Sequence, residues 1–171
     1  MSARADDTTT HVLSEHVRRR LEESRRHYPE GEAGNRSLVL EALRLVQEER
    51  GGWLNGAALE AVASYLELPL IEVTQVARFY SMYELEPVGR HSISVCTNLS
   101  CHLCGGETLL AQLERRLGIR LGETTADGRF TLKKEEECLA ACTAAPVLMI
   151  DHHYYERVRE EDLDRILEAY P

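Results

Sequence analysis

The sequence predicts an α/β domain preceded by a small helical region, and three observations carry that prediction. Over residues 1–88 the apolar residues recur at helical spacing. From residue 89 onward short alternating or fully apolar runs appear, separated by turn signals and by helical stretches. All five cysteines fall between positions 96 and 142, inside this second part. The expected organisation is a helical N-terminal region over 1–88 and a mixed domain over 89–171, with Pro87-Val88-Gly89 at the boundary. A chain of 171 residues is long enough for one or two domains with a sizeable core.

The elements follow in order. Val12, Leu13, Val17 and Leu21 mark a first helix that ends near Tyr28-Pro29. Two glycines between Glu30 and Asn35 indicate a loop, after which Ser37 is placed to cap a helix carrying Leu38, Val39, Ala42, Leu43 and Val46. Gly51-Gly52 stops that helix. Asn55 caps a third, with Leu59, Val62, Ala63 and Leu66 on one side, and Pro69 begins a fourth through Val73, Val76 and Ala77. In the second part, His91 to Cys96 alternates as a strand, with Ile93 and Val95 on one face. Gly106 to Leu117 is an amphipathic helix on Leu109, Leu110, Leu113 and Leu117, stopped by Gly118. Asp127-Gly128 turns into a strand on Phe130 and Leu132, and Val147 to Ile150 is a buried strand. Asp151-His152-His153 turns into an antiparallel partner on Tyr154-Tyr155, and Glu160 to Tyr170 closes the chain as a helix.

Composition excludes some functions. The chain holds 20 basic and 29 acidic residues, a formal net charge of −9. A nucleic-acid partner needs a basic face for phosphate, so none is expected. The longest apolar run, Ala144 to Ile150, is seven residues with a proline inside. A bilayer span takes about 20, so no direct membrane insertion is expected. No signal or transit peptide is visible, so a cytoplasmic location is expected. No glycine-rich dinucleotide loop and no phosphate loop occurs, so no NADH, flavin or nucleotide site is expected on this chain.

The cysteines stand as Cys96-x4-Cys101-x2-Cys104 and Cys138-x3-Cys142. In a reducing compartment clustered cysteines point to metal or redox chemistry, not to disulfide scaffolding. A [2Fe–2S] cluster needs four thiolates; with them the oxidised centre is already a dianion, so it passes electrons singly. Two ligand sets fit it. The first three cysteines with one distant cysteine match plant-type ferredoxin spacing, whereas Cys96, Cys101, Cys138 and Cys142 form two separated pairs. The pairs are preferred, because each falls in a loop beside a predicted strand and the other set leaves Cys138 or Cys142 unexplained. Cys101-His-Leu-Cys104 is also a C-x-x-C after a strand, the arrangement of a thiol–disulfide oxidoreductase, and four cysteines suffice for structural zinc. The remaining candidates have bland readings. Glu135-Glu136-Glu137 is a solvated charge run, and His102, His152 and His153 are surface histidines. Trp53 is packing, and Phe79-Tyr80 with Met82-Tyr83 form helix-end core with an exposed docking patch as the alternative.

The residues then match a known family. They are Gln47-Glu48 with Gly52-Trp53-Leu54, Val76 to Met82, Pro87-Val88-Gly89, Val95-Cys96-Thr97-Asn98, and Leu117-Gly118-Ile119. Gly122 to Thr125, Asp127 to Leu132, Glu137-Cys138-Leu139, Cys142, Ala145-Pro146 and Tyr154-Tyr155-Glu156 complete the match. Over about residues 25 to 170 the chain resembles the small iron–sulfur subunits of bacterial NADH:quinone oxidoreductase, respiratory complex I. Related subunits occur in NAD-linked hydrogenases and formate dehydrogenases. The resemblance implies a thioredoxin-like [2Fe–2S] ferredoxin domain behind the helical region, with the family's four ligands falling on Cys96, Cys101, Cys138 and Cys142. It implies a flavoprotein partner that binds NADH and FMN, other peripheral-arm subunits, and membrane association only through the complex. The cluster would sit beside the flavin as an off-path store or tuning centre; separately, the helical region is expected to dock the partner. Two departures stand out: Cys104 is not a family ligand and is expected as a free thiol, able to substitute for a lost ligand. Ala140 stands where the family usually has glycine, and it carries strain if that position needs a positive φ.

Overall fold

The structure is a computed structural model that describes residues 13–134 and 138–171. The chain forms two compact units, divided between Pro87 and Val88. Val12 of the expected first helix and the Glu135-Glu136-Glu137 run lie outside the described residues.

The first unit is helical. Helix α1 (Glu15–Arg25) starts at Ser14, whose Oγ accepts the Val17 N–H at 3.1 Å. Helix α2 (Glu32–Glu49) begins six residues earlier than expected, so Ser37 is not its cap. The Ser37 hydroxyl instead donates to the Ala33 carbonyl inside the helix. Gly34 explains the misreading: a Cβ there would lie 1.8 Å from the Pro29 carbonyl oxygen, so this glycine marks a close approach and not a loop. Helix α3 (Gly56–Leu66) is capped as expected, the Asn55 Oδ1 accepting the Ala58 N–H at 2.8 Å. Helix α4 (Leu70–Phe79) follows Pro69. Leu21, Leu38, Leu43, Leu54 and Leu66 are fully buried where these helices meet, each contributing about 1.5–3 kcal/mol.

The helix-end residues correct the core reading. Phe79 is 79% and Met82 54% exposed, and Tyr80 is exposed too. The chain leaves α4 through an extended Tyr80, and only Tyr83 turns inward. The Tyr83 hydroxyl donates to the Leu40 carbonyl, and burial pushes its pKa up to about 12. Trp53 is half-buried, and its neighbour Leu54 takes the core position.

The second unit is built on a four-stranded sheet of β1 (His91–Val95), β2 (Phe130–Leu132), β3 (Leu148–Ile150) and β4 (His153–Tyr155), in the order β2-β1-β3-β4. Strands β1 and β2 are parallel, joined across helix α5 (Leu99–Leu103) and helix α6 (Gly106–Leu117). Strand β3 is antiparallel to both β1 and β4. Asp151 and His152 both have positive φ, a two-residue hairpin turn, so His153 belongs to the strand and not to the turn. The closing helix is shorter than expected: a 3-10 turn (Glu160–Asp162) precedes α7 (Leu163–Glu168). Leu109 and Leu113 of α6 pack with Ile93, Leu132, Leu148 and Ile150 in one core. The antiparallel pairing sets Val95 opposite Leu148, so the end of β1 and the beginning of β3 lie at the same end of the sheet. No described helix is long and apolar enough to cross a membrane.

Candidate metal centre

That end of the sheet collects the cysteines. Cys96 follows β1 directly, and its N–H donates to the Val147 carbonyl just before β3. Cys101 lies in α5, a short helix that periodicity does not separate from α6, so this cysteine is helical and not in a loop. Cys142 opens a 3-10 turn (Cys142–Ala144) that leads through a cis Ala145–Pro146 bond into β3. Two chain segments distant in sequence therefore meet because β1 and β3 are neighbours.

Cys96 and Cys101 are each 2% exposed and pack with Leu139 and Val147. Cys138 and Cys142 are exposed, with their Sγ atoms 3.6 Å apart. Two thiolates on one tetrahedral metal at about 2.3 Å stand roughly 3.7–3.8 Å apart, so this pair already has the spacing one iron requires. Among the described residues no three His, Cys, Asp or Glu side chains converge to enclose a single ion. The thiols come as two adjoining pairs, an arrangement with the number and type of donors that a two-iron centre would need, two cysteines to each iron.

The sulfurs also perturb one another. Burial pushes the Cys96 thiol up, but the N–H groups of Leu139 and Asn98 and the thiols of Cys101 and Cys138 outweigh it, and its pKa falls below the ordinary thiol value. Cys101 goes the other way, to about 11: burial and the neighbouring Cys96 sulfur raise it against the backbone of Val147. At Cys138 the Ala140 N–H lowers the pKa, but Cys142 and partial desolvation together raise it further. Backbone N–H groups thus already point at thiol sulfurs, which favours a charged metal–thiolate centre.

Cys104 is exposed and takes no part in these sulfur–sulfur interactions; its N–H closes the end of α5 on the Ser100 and Cys101 carbonyls. His102 is exposed with its Nδ1 3.3 Å from the Glu107 carboxylate. His152 and His153 are exposed.

Sequence patterning passes over Gly106. A Cβ there would stand 2.7 Å from the Cys96 carbonyl oxygen and 2.9 Å from that of Cys101. The first turn of α6 therefore lies against the backbone of both buried cysteines, which only glycine allows. A signal is present in the Gly105-Gly106 pair: Gly105 alone supplies the left-handed turn, at φ 91°.

Ala140 has φ 57°, the left-handed conformation expected to strain it, and its N–H donates to the Cys138 Sγ at 3.4 Å. An L-residue costs about 1–2 kcal/mol there, partly offset by glycine's greater flexibility in the unfolded chain. Ala140→Gly should raise the urea unfolding free energy of the cluster-free chain by about 0.5–1 kcal/mol; an unchanged or lower value would contradict the strain.

Comparison with known proteins gives findings of three kinds. A sequence model of the thioredoxin-like [2Fe–2S] ferredoxin family matches residues 21–171. The E subunit of the NADH-quinone oxidoreductase of Rickettsia felis is 45% identical over 137 residues, 80% of this chain and 81% of that protein. The same-named protein of Pseudomonas aeruginosa is 42% identical over 163 residues, 95% of each chain. Among solved structures, an NAD+-reducing [NiFe]-hydrogenase in its H2-reduced state superposes with a TM-score of 0.63 at 23% identity. The match covers 75% of this chain and only 22% of that one, and it shows the fold.

Proposed function

This chain belongs to the thioredoxin-like [2Fe–2S] ferredoxin family, and from that premise we propose that it is the one-electron carrier subunit of an NADH:quinone oxidoreductase. The meeting of two cysteine pairs at one end of the sheet carries the reading. Cys96 with Cys101, and Cys138 with Cys142, are the proposed ligands. When bound, a [2Fe–2S] cluster accepts and releases a single electron. The chain's own residues do the rest: the N–H groups of Leu139, Asn98 and Ala140 offset thiolate charge, and Leu139 and Val147 keep water from the buried pair. Near-full-length identity to relatives from NADH-quinone oxidoreductase favours complex I as the parent enzyme over a hydrogenase, to which the likeness is one of fold. Thiol exchange at Cys101 and Cys104 is the weaker reading, because a nucleophilic cysteine needs access and Cys101 is buried.

In this reading a flavoprotein partner binds NADH and FMN, the cluster lies beside the flavin, and membrane association comes through the complex. The helical unit offers that partner a groove of about 690 Å³ bounded by Arg36, Glu72, Val76, Phe79 and Tyr80. One anaerobic experiment tests the account. Mixed with NADH, the isolated chain should stay oxidised; with the flavoprotein present its cluster should be reduced and the two should co-purify, and deletion of residues 1–88 should abolish co-purification. Reduction without the flavoprotein, or full assembly of the shortened chain, would contradict it.

A further inference from the structure

The four thiols of the centre are unequal. Cys96 and Cys101 are shut away beneath Leu139 and Val147, whereas Cys138 and Cys142 face solvent with sulfurs in contact at 3.6 Å. A disulfide needs about 2.05 Å between sulfurs, so these two sulfurs have only about 1.5 Å left to close. Both residues belong to one five-residue loop, so no distant backbone has to move. A dissolved disulfide reaches the outer pair and not the inner one.

We propose that Cys138 and Cys142 of the cluster-free chain are an oxidation site for low-molecular-weight disulfides, and that the bond they form blocks cluster insertion until it is reduced. The inference rests on the ligand assignment above. One thiolate of the pair attacks a sulfur of the small disulfide, expels a thiolate and leaves a mixed disulfide. The second thiolate then attacks the protein sulfur of that bond and releases the other small thiol. The pair loses two electrons and two protons, and the oxidant becomes two thiols. Two of the four donors are then removed, while the inner pair stays reduced. The centre could be filled only where a dithiol reductant reopens the outer bond.

The sequence makes this testable. Trypsin leaves Cys138 and Cys142 together in peptide 135–157, and Cys96, Cys101 and Cys104 together in peptide 91–115. The full-length cluster-free chain is treated with oxidised glutathione, alkylated without reduction and digested. The expected result is peptide 135–157 lacking two hydrogens and refusing alkylation, with all the cysteines of 91–115 alkylated apart from any glutathione on exposed Cys104. Ferrous iron and sulfide should then reconstitute less than about a tenth of the cluster seen after dithiothreitol treatment. Cys142→Ser should trap glutathione on Cys138 instead. An internal disulfide within 91–115, no oxidation of 135–157, or equal reconstitution with and without dithiothreitol would overturn the proposal. Failure of the fully reduced chain to take up a cluster would overturn the ligand assignment and the block with it, while the mapped disulfide would survive as chemistry of the loop.

Discussion

Serine in place of Cys101 is expected to leave the anaerobically purified chain with less than about a tenth of its iron and of its reduced EPR signal, because exposed Cys104 stands outside the sulfur contacts and is not placed to replace it. The Cys101 side chain is buried beside Cys96, next to Leu139 and Val147. A serine there keeps the volume but replaces a soft thiolate with a poor, protonated donor. Cys104→Ser should be silent in the same assays, because Cys104 is exposed and stands outside the contacts among the other four sulfurs. The contrast is the informative part, since the residues lie three apart and any effect on α5 as a helix would touch both. Loss of the cluster in Cys104→Ser would sink the paired ligand set and favour the plant-type spacing.

Gly106→Ala should be nearly as damaging without removing any donor. The added methyl would meet the Cys96 and Cys101 carbonyl oxygens at 2.7 and 2.9 Å and the Cys101 carbonyl carbon at 3.0 Å, all backbone. Neither peptide can swing aside as a side chain would. The first turn of α6 must lift, or the ends of β1 and α5 must shift, at about 1–3 kcal/mol. Either movement displaces the two inner sulfurs relative to the outer pair. Disturbing the support of metal ligands typically lowers affinity about 10–100-fold, so iron should be lost to a chelator correspondingly faster. Gly56→Ala is the control: a Cβ there meets nothing within 4 Å and the backbone is not left-handed. Equal chelator kinetics for Gly106→Ala and the unmodified chain would contradict the packing argument.

Much of the fold is legible because its signals are local. The Asn55 cap, the Gly118 stop and the Asp127-Gly128 turn each depend on one or two residues whose chemistry leaves few alternatives. The failures share a physical cause. Gly34 looks like a loop signal but makes room for the Pro29 carbonyl, a contact invisible to periodicity. The orientations of Phe79, Tyr80 and Met82 depend on how the chain leaves α4, which spacing does not specify. Helix α5 is five residues long, too short to show a period. The centre itself divides in the same way. Cysteine spacing suggests the pairs, but their meeting depends on β1 lying next to β3, a non-local pairing that no single segment encodes. Gly106 belongs to that non-local geometry as well. Ala140 is a different case: its own spacing does not reveal its positive φ, and the family resemblance, with glycine usual at that position, is what points to it.

The most direct test of the central claim is iron and sulfide analysis of the anaerobically purified chain, with an EPR spectrum after dithionite reduction. The account predicts a brown protein with about two irons and two sulfides per chain and one reduced signal from a single cluster. A protein that stays colourless and EPR-silent after anaerobic reconstitution from the fully reduced state would contradict it.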